Sequence, residues 1–218
     1  HYDDIEMQRT MFLVTDSRLD YPVVVDIYRI EADKKHRYDM PIHYKGHLMN
    51  TNFEYATESK LLKPMGKQYG YQHLWKTASA KVSNDAVVTW LDGQRYYSYI
   101  TDVPGKAEFI FGKIGANDPN FNLRNEPMFL RRSQGKTEVF ASVLEPHGFF
   151  NEAMEKSENV HPKIKEIEVL GHSDKGTVIE ISGEADINWI FMINNGDPDT
   201  DAEHTIEFSG TTYTWKGN

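Results

Sequence analysis

Arg124, Arg131, Arg132 and Lys136 make the one local concentration of positive charge near the Gly115 to Pro127 loop, in a 218-residue chain whose formal net charge is -9. Guanidinium groups grip carboxylates through paired hydrogen bonds, so this stretch could recognise an acidic ligand. Asn117 and Asp118 precede it in the loop GANDPNFNLR. Arg124, Asn117, Asp118 and Arg131 are therefore the candidate binding residues. The plainer reading has Arg124 tying down its own loop, Arg131 facing solvent or an acidic neighbour, and Asn117 and Asp118 capping turns.

Other constellations are weaker. His43 and His47 stand four residues apart, a spacing that chelates zinc on a helix. Pro41 and Gly46 make their segment extended, where an offset of four separates two side chains along one face. They read as polar loop histidines, and His73 and His147 as buried or loop-fixing ones. Asp197, Asp199, Asp201 and Glu203 alternate as calcium-loop acids do, but Ala202 and Phe208 stand where an EF-hand needs Gly and Glu. An acidic solvated turn is the reading, with weak calcium binding its alternative. Gly135-Lys136-Thr137 looks like the end of a phosphate loop, yet Leu130 occupies the required earlier glycine position. No metal site and no catalytic residue is assigned.

The elements that must position these groups are strands. Met7 to Val14 and Val23 to Ile30 alternate as a hairpin around a turn at Asp16 to Pro22, with Asp26 facing solvent or a polar partner. His36 to Asn52 reads as a polar aromatic connection ending in a short strand near Leu48, and Phe53 to Gly70 as a surface loop. Gln72 to Val82, Ala86 to Leu91 and Arg95 to Ile100 form a meander with Asp92-Gly93 as its tight turn. Phe109 to Phe111, a long loop over Gly115 to Pro127, Met128 to Leu130, a turn at Gly135 and Val139 to Leu144 follow. Asn151 to Lys165 has helical or irregular character. Strands at Ile164 to Leu170, Thr177 to Ile181, Ala185 to Ile193, Thr205 to Phe208 and Thr211 to Trp215 complete the chain. The fold class is all-β: an antiparallel sandwich of packed multi-stranded sheets with few short helices, one domain over 1–218.

Composition narrows the function. The acidic balance argues against nucleic acid and anionic membranes as partners. No apolar run approaches a membrane span and no charged-then-apolar leader opens the sequence. Cysteine is absent, which excludes disulfides and thiolate metal sites. The start at His1, directly before an amphipathic strand pattern, looks like a cut inside something longer.

GANDPNFNLR at Gly115 to Arg124, GYQHLW at Gly70 to Trp75, FASVLEPHG at Phe140 to Gly148, MQRT at Met7 to Thr10, VVDIYRI at Val24 to Ile30 and HRYDMPIHYKGH at His36 to His47 together resemble polysaccharide lyase family 17 alginate lyases, in the same order along the chain. More distantly the chain is similar to the carboxy-terminal sheet domain of heparinase II/III enzymes. The resemblance implies the carboxy-terminal β-sandwich of a bacterial lyase that cleaves uronic-acid polymers by β-elimination and is periplasmic or secreted. It further implies structural support, an oligomer contact, and a uronic-acid saccharide met through the parent enzyme. The family's catalytic tyrosine and Asn-His pair, and its His-Gly-His and Ala-His-Asn type motifs with the zinc ligands, find no counterpart here. Catalytic roles and zinc would then belong upstream, and the chain alone is expected not to cleave alginate. The alternative is a stand-alone carbohydrate-binding or adhesive sandwich, which would present a flat exposed row of Trp or Tyr; a blander one is a structural sandwich attached to a different catalytic domain.

Overall fold

A computed structural model describes residues 4–60, 62–115, 125–197 and 199–217. Its main sheet has nine antiparallel strands: β1 (Ile5–Val14), β2 (Val23–His43), β3 (His47–Thr51), β4 (Ala56–Thr57), β5 (Leu74–Val82), β6 (Ala86–Asp92), β7 (Arg95–Thr101), β8 (Ala107–Ile114) and β9 (Glu126–His147). β2 and β9, 21 and 22 residues long, run side by side as its spine. On its other edge β9 pairs first with β8, over Glu126 to Arg132, and then with β7, over Ser142 to His147. The sheet therefore splays into two arms, β7-β6-β3 and β8-β5-β4, which curl toward each other.

Aromatic and β-branched residues fill the curl. Val88, Trp90 and Tyr99 from one arm meet Phe109 and Phe111 from the other around Phe129 of the spine, all six buried. The outer side of the spine is covered by a second antiparallel sheet, β12 (Ile164–His172), β13 (Gly176–Gly183) and β14 (Ile187–Asn194), which follows the short hairpin of β10 (Phe149–Asn151) and β11 (Lys156–Glu158) along the chain. Alternation in β2 sends Val23, Val25 and Ile27 to that interface, where they pack with Ile164, Ile167, Ile179 and Ile181. A last hairpin, β15 (Glu203–Phe208) and β16 (Thr211–Lys216), closes the chain. This is the all-β sandwich that the strand pattern predicts.

β12 pairs only with β13, so its other edge would leave backbone N–H groups open. Three carboxylates, Glu145 in β9 and two just outside strand ends, Asp85 before β6 and Asp102 after β7, accept N–H groups along this side. Glu145 takes the N–H groups of Lys163 and Ile164 at 2.8 and 2.9 Å, Asp85 that of Ile167 at 3.3 Å, and Asp102 that of Val169 at 3.1 Å. Side chains thus do for this edge what a neighbouring strand would do.

Several expectations need correction. Met128 to Leu130 and Val139 to Leu144 are one strand, not two around a Gly135 turn. β2 stays paired with β9 on both sides of that glycine and takes up the bend itself, with Ala32 to Lys35 bulged between the Glu31 and His36 pairings. The polar stretch from His36 is accordingly strand, because β9 supplies its hydrogen-bond partners. Asn151 to Lys165, read as helical or irregular, has no helix among its described residues: it is largely turn and irregular, with the end of β10, the short β11 and the first residues of β12. β6 and β7 do form a hairpin, with loop residues Gly93-Gln94 and Gly93 at φ 59, but β5 lies away from it beside β8. Asp26 finds its polar partner in Arg9, at 2.9 and 2.6 Å.

Candidate functional site

In β9 the arginines at 131 and 132 must point to opposite faces. Arg131 points inward: its side chain is 2% exposed, its Nη2 donates to Glu138 Oε1 at 2.6 Å, and the guanidinium lies 4.7 Å from the Phe140 ring centroid. The arginine proposed from sequence as an anion contact is thus enclosed with its own acid. Asn117, Asp118 and Arg124 lie outside the described residues.

Arg132 points outward. Strand register sets it directly opposite Asp39 of β2 on one side and Glu108 of β8 on the other. Its Nε and Nη2 donate to the two Asp39 oxygens at 2.7 and 2.8 Å, while Nη1 stands 3.7 Å from Glu108, beyond hydrogen-bond range. Lys76 of β5 continues the row, 3.8 Å from Glu108 and 3.4 Å from Glu58. Four strands therefore carry charges of alternating sign across one face.

The 58–65 segment, in its described residues 58–60 and 62–65, arches over this face. Backbone bonds pin it at both ends, from Glu58 N–H to the Thr77 carbonyl and from Met65 N–H to that of Leu74, each 2.8 Å. Beneath the arch is a cavity of about 370 Å³ lined by Glu58, Lys60, Lys63, Lys76, Glu108 and Arg132, with Ile110 and Met65 among its apolar walls. Behind Arg132, Gly70 at φ 87 starts a single 3-10 turn, Tyr71–His73, that brings the Tyr71 hydroxyl to Asp39 as a second donor. Burial pushes the Asp39 carboxyl up, but the bonds from Arg132 and Tyr71 outweigh it and hold the group below the ordinary aspartate value. Burial and the Asp39 charge both push the Tyr71 phenol up, which keeps its proton in place.

A second polar cluster is closed to solvent. His147 Nδ1 donates to the Asn159 carbonyl at 2.7 Å, which leaves Nε2 to accept from the Ser98 hydroxyl at 2.8 Å, and Ser98 is 2.7 Å from Thr89. Gly148 follows at φ 57, and a Cβ there would lie 2.2 Å from the Asn159 carbonyl oxygen. Serine beside histidine can make a nucleophile, but Ser98 is 0% and His147 1% exposed, so no substrate reaches the pair. The cluster fastens the end of β9, as the buried reading of His147 anticipates.

His43 and His47 sit exposed at the end of β2 and the start of β3. Among the described residues no three His, Asp or Glu side chains converge as a metal site would require. Asp197 and Asp199 each accept the backbone N–H two residues on, at 2.9 Å, within their own turn. Sequence reasoning missed Lys60, Lys63, Lys76 and Tyr71. The signal for the lysines, Pro64 and Gly66 among them, marks a loop but not the two backbone bonds that fold it over β5.

No family model matches the chain. A protein named exo-oligoalginate lyase from Saccharophagus degradans is 32% identical over 225 residues, covering 96% of the chain and 30% of that protein. One named alginate lyase from Stenotrophomonas maltophilia is 35% identical over 220 residues, covering 100% of the chain and 29% of that protein. The chain spans less than a third of the length of these curated relatives. Such identity, sustained from one end of the chain to the other and joined to the all-β fold expected of the resemblance, makes the chain similar along its whole length to part of two proteins named for alginate lysis.

Proposed function

We propose that the chain is the carboxy-terminal β-sandwich portion of a polysaccharide lyase that acts on alginate, that it supports the catalytic part of that enzyme, and that it does not cleave alginate by itself. The observation that carries this reading is the extent of the match: all or nearly all of the chain aligns with about three tenths of two proteins named for that activity. Kinship with heparinase II/III enzymes, zinc held upstream, and a periplasmic or secreted location belong to the same reading.

The side chains here support the division of labour. β-Elimination beside a uronate needs a group to neutralise the carboxylate, a base for the C5 proton and an acid for the leaving oxygen, all around one sugar. Tyr71 is engaged by Asp39 and held protonated, and His147 and Ser98 are sealed beneath the surface. As for a stand-alone sugar-binding module, Trp90 is buried and stacked on Tyr97 inside the curl, so it contributes nothing to a flat exposed aromatic row.

The test is to incubate the purified chain with oligoalginate and follow ultraviolet absorbance of unsaturated uronate. No product is expected from the chain, and product from a polypeptide carrying the upstream part of a relative. Turnover by the chain alone would overturn the proposal.

A further inference from the structure

The cavity beneath the Glu58 to Met65 arch has the charge, the shape and the fixed donors of an anion site. In a chain of net charge -9, four cations and two carboxylates line it. Both carboxylates are already shared with lysine or arginine: Glu58 with Lys76, and Glu108 with Lys76 and Arg132. Lys60 and Lys63 have no acidic partner among the described residues. Local charge is therefore opposite in sign to the whole, a condition that favours an anion here.

Arg132 makes the site specific. Asp39 holds its Nε and Nη2 from behind, which fixes the guanidinium, and Nη1, 3.7 Å from Glu108, makes no hydrogen bond among the described residues. A carboxylate entering from the open side meets an arginine already oriented, with lysines on the rim. At about 370 Å³ the cavity falls within the ~300–1,000 Å³ range of small-ligand sites. Ile110 and Met65 offer apolar surface to the carbon face of a sugar ring.

We propose that this cavity binds one uronate residue of an acidic oligosaccharide, its carboxylate between Arg132 and the Lys60 and Lys63 ammonium groups. The anion site rests on the geometry; the choice of a uronate rests on the function proposed above.

Calorimetry of the purified chain tests it, with oligomannuronate and oligoguluronate as ligands, a neutral cello-oligosaccharide of the same length, and inorganic phosphate. The uronates are expected to bind and to weaken as salt is raised; the neutral sugar is expected not to bind, and phosphate to bind at least tenfold more weakly. K60S/K63S, two exposed positions on the arch, should cost at least tenfold in affinity with an unchanged melting temperature. Absence of uronate binding, binding untouched by K60S/K63S, or equal affinity for phosphate or the neutral sugar would each overturn the proposal. Those results leave the lyase reading standing, whereas cleavage of oligoalginate by the chain alone would overturn that reading and leave the binding data to decide this one.

Discussion

Arg132 and Asp39 face each other across β9 and β2 and are joined by two hydrogen bonds of 2.7 and 2.8 Å, with the Asp39 side chain 8% and that of Arg132 20% exposed. Removing the arginine would leave a carboxylate out of water with the Tyr71 hydroxyl as its donor and the charge of Arg37 nearby. R132A is therefore expected to cost about 3 kcal/mol at neutral pH, and R132K to recover only part of it because an ammonium cannot make the paired contact. Asp39 has a lowered value in the fold, so its contribution is complete above the ordinary aspartate value near 3.8 and is lost as pH falls through the folded value. Urea unfolding at pH 7 and at progressively lower pH should show the gap between wild type and R132A closing in acid. A gap of constant size would mean that the pair does not hold the fold.

Asp85 behaves in the opposite sense. Burial is the main cause that pushes its carboxyl up to about 6, the Ile167 N–H pulls it back, and the neighbouring charges of Asp102, Glu166 and Glu168 add to the rise. The folded chain keeps this proton to about pH 6, while the unfolded chain releases it near 3.8. Stability from this group therefore falls as pH rises between those values and is flat above them. D85N retains an oxygen for the Ile167 N–H and carries no charge. It should raise stability above pH 6 by on the order of 1 kcal/mol, discounted for partial exposure, and change nothing near pH 4. Thermal melts of both proteins at the two pH values decide this.

What could be read in the sequence follows the local rules closely. The β1-β2 hairpin, the short strands after Ile164 and the β6-β7 turn depend on alternation and turn residues a few positions apart, and these are visible in one window. The continuous β9 was hidden because Gly135 is a local signal for a turn, whereas the pairing of β2 across it is a long-range fact. The site suffered in the same way. A basic run was legible, but whether Arg131 or Arg132 meets solvent depends on which face of β9 turns into the curl, and one position reverses the answer. Lys60 and Lys63 become site residues only through the arch held by Thr77 and Leu74.

His147 gives a third measurement. Burial is the first cause that lowers its value, with the Asn159 carbonyl opposing, so the folded chain resists the proton that the unfolded chain accepts near 6.5. Stability from this group falls as pH drops below about 6.5 and is intact above it. H147L would orphan the Asn159 carbonyl and one partner of Ser98, at a cost of about 2 to 4 kcal/mol at pH 7.5. Urea midpoints from pH 7.5 down to 5.5 should fall more steeply for wild type than for H147L. Parallel curves would remove His147 as the cause.

Arg131 and Glu138 separate a role in folding from a role in binding. The arginine is 2% and the glutamate 10% exposed, and Nε and Nη1 of Arg131 are buried without hydrogen-bond partners. Such a pair gains less than it costs to desolvate, yet breaking it strands a charge. R131M and E138L alone are each expected to lose about 3 kcal/mol, and R131M/E138L together to return to within about 1 kcal/mol of wild type, because methionine and leucine fill the space beside Phe140 without a charge to satisfy. A double-mutant cycle from urea unfolding measures the coupling directly. The double variant should also keep its affinity for oligouronate, since the cavity belongs to the other face of β9. A stable double variant that has lost that affinity would instead return Arg131 to the ligand and count against the outward face as the binding one.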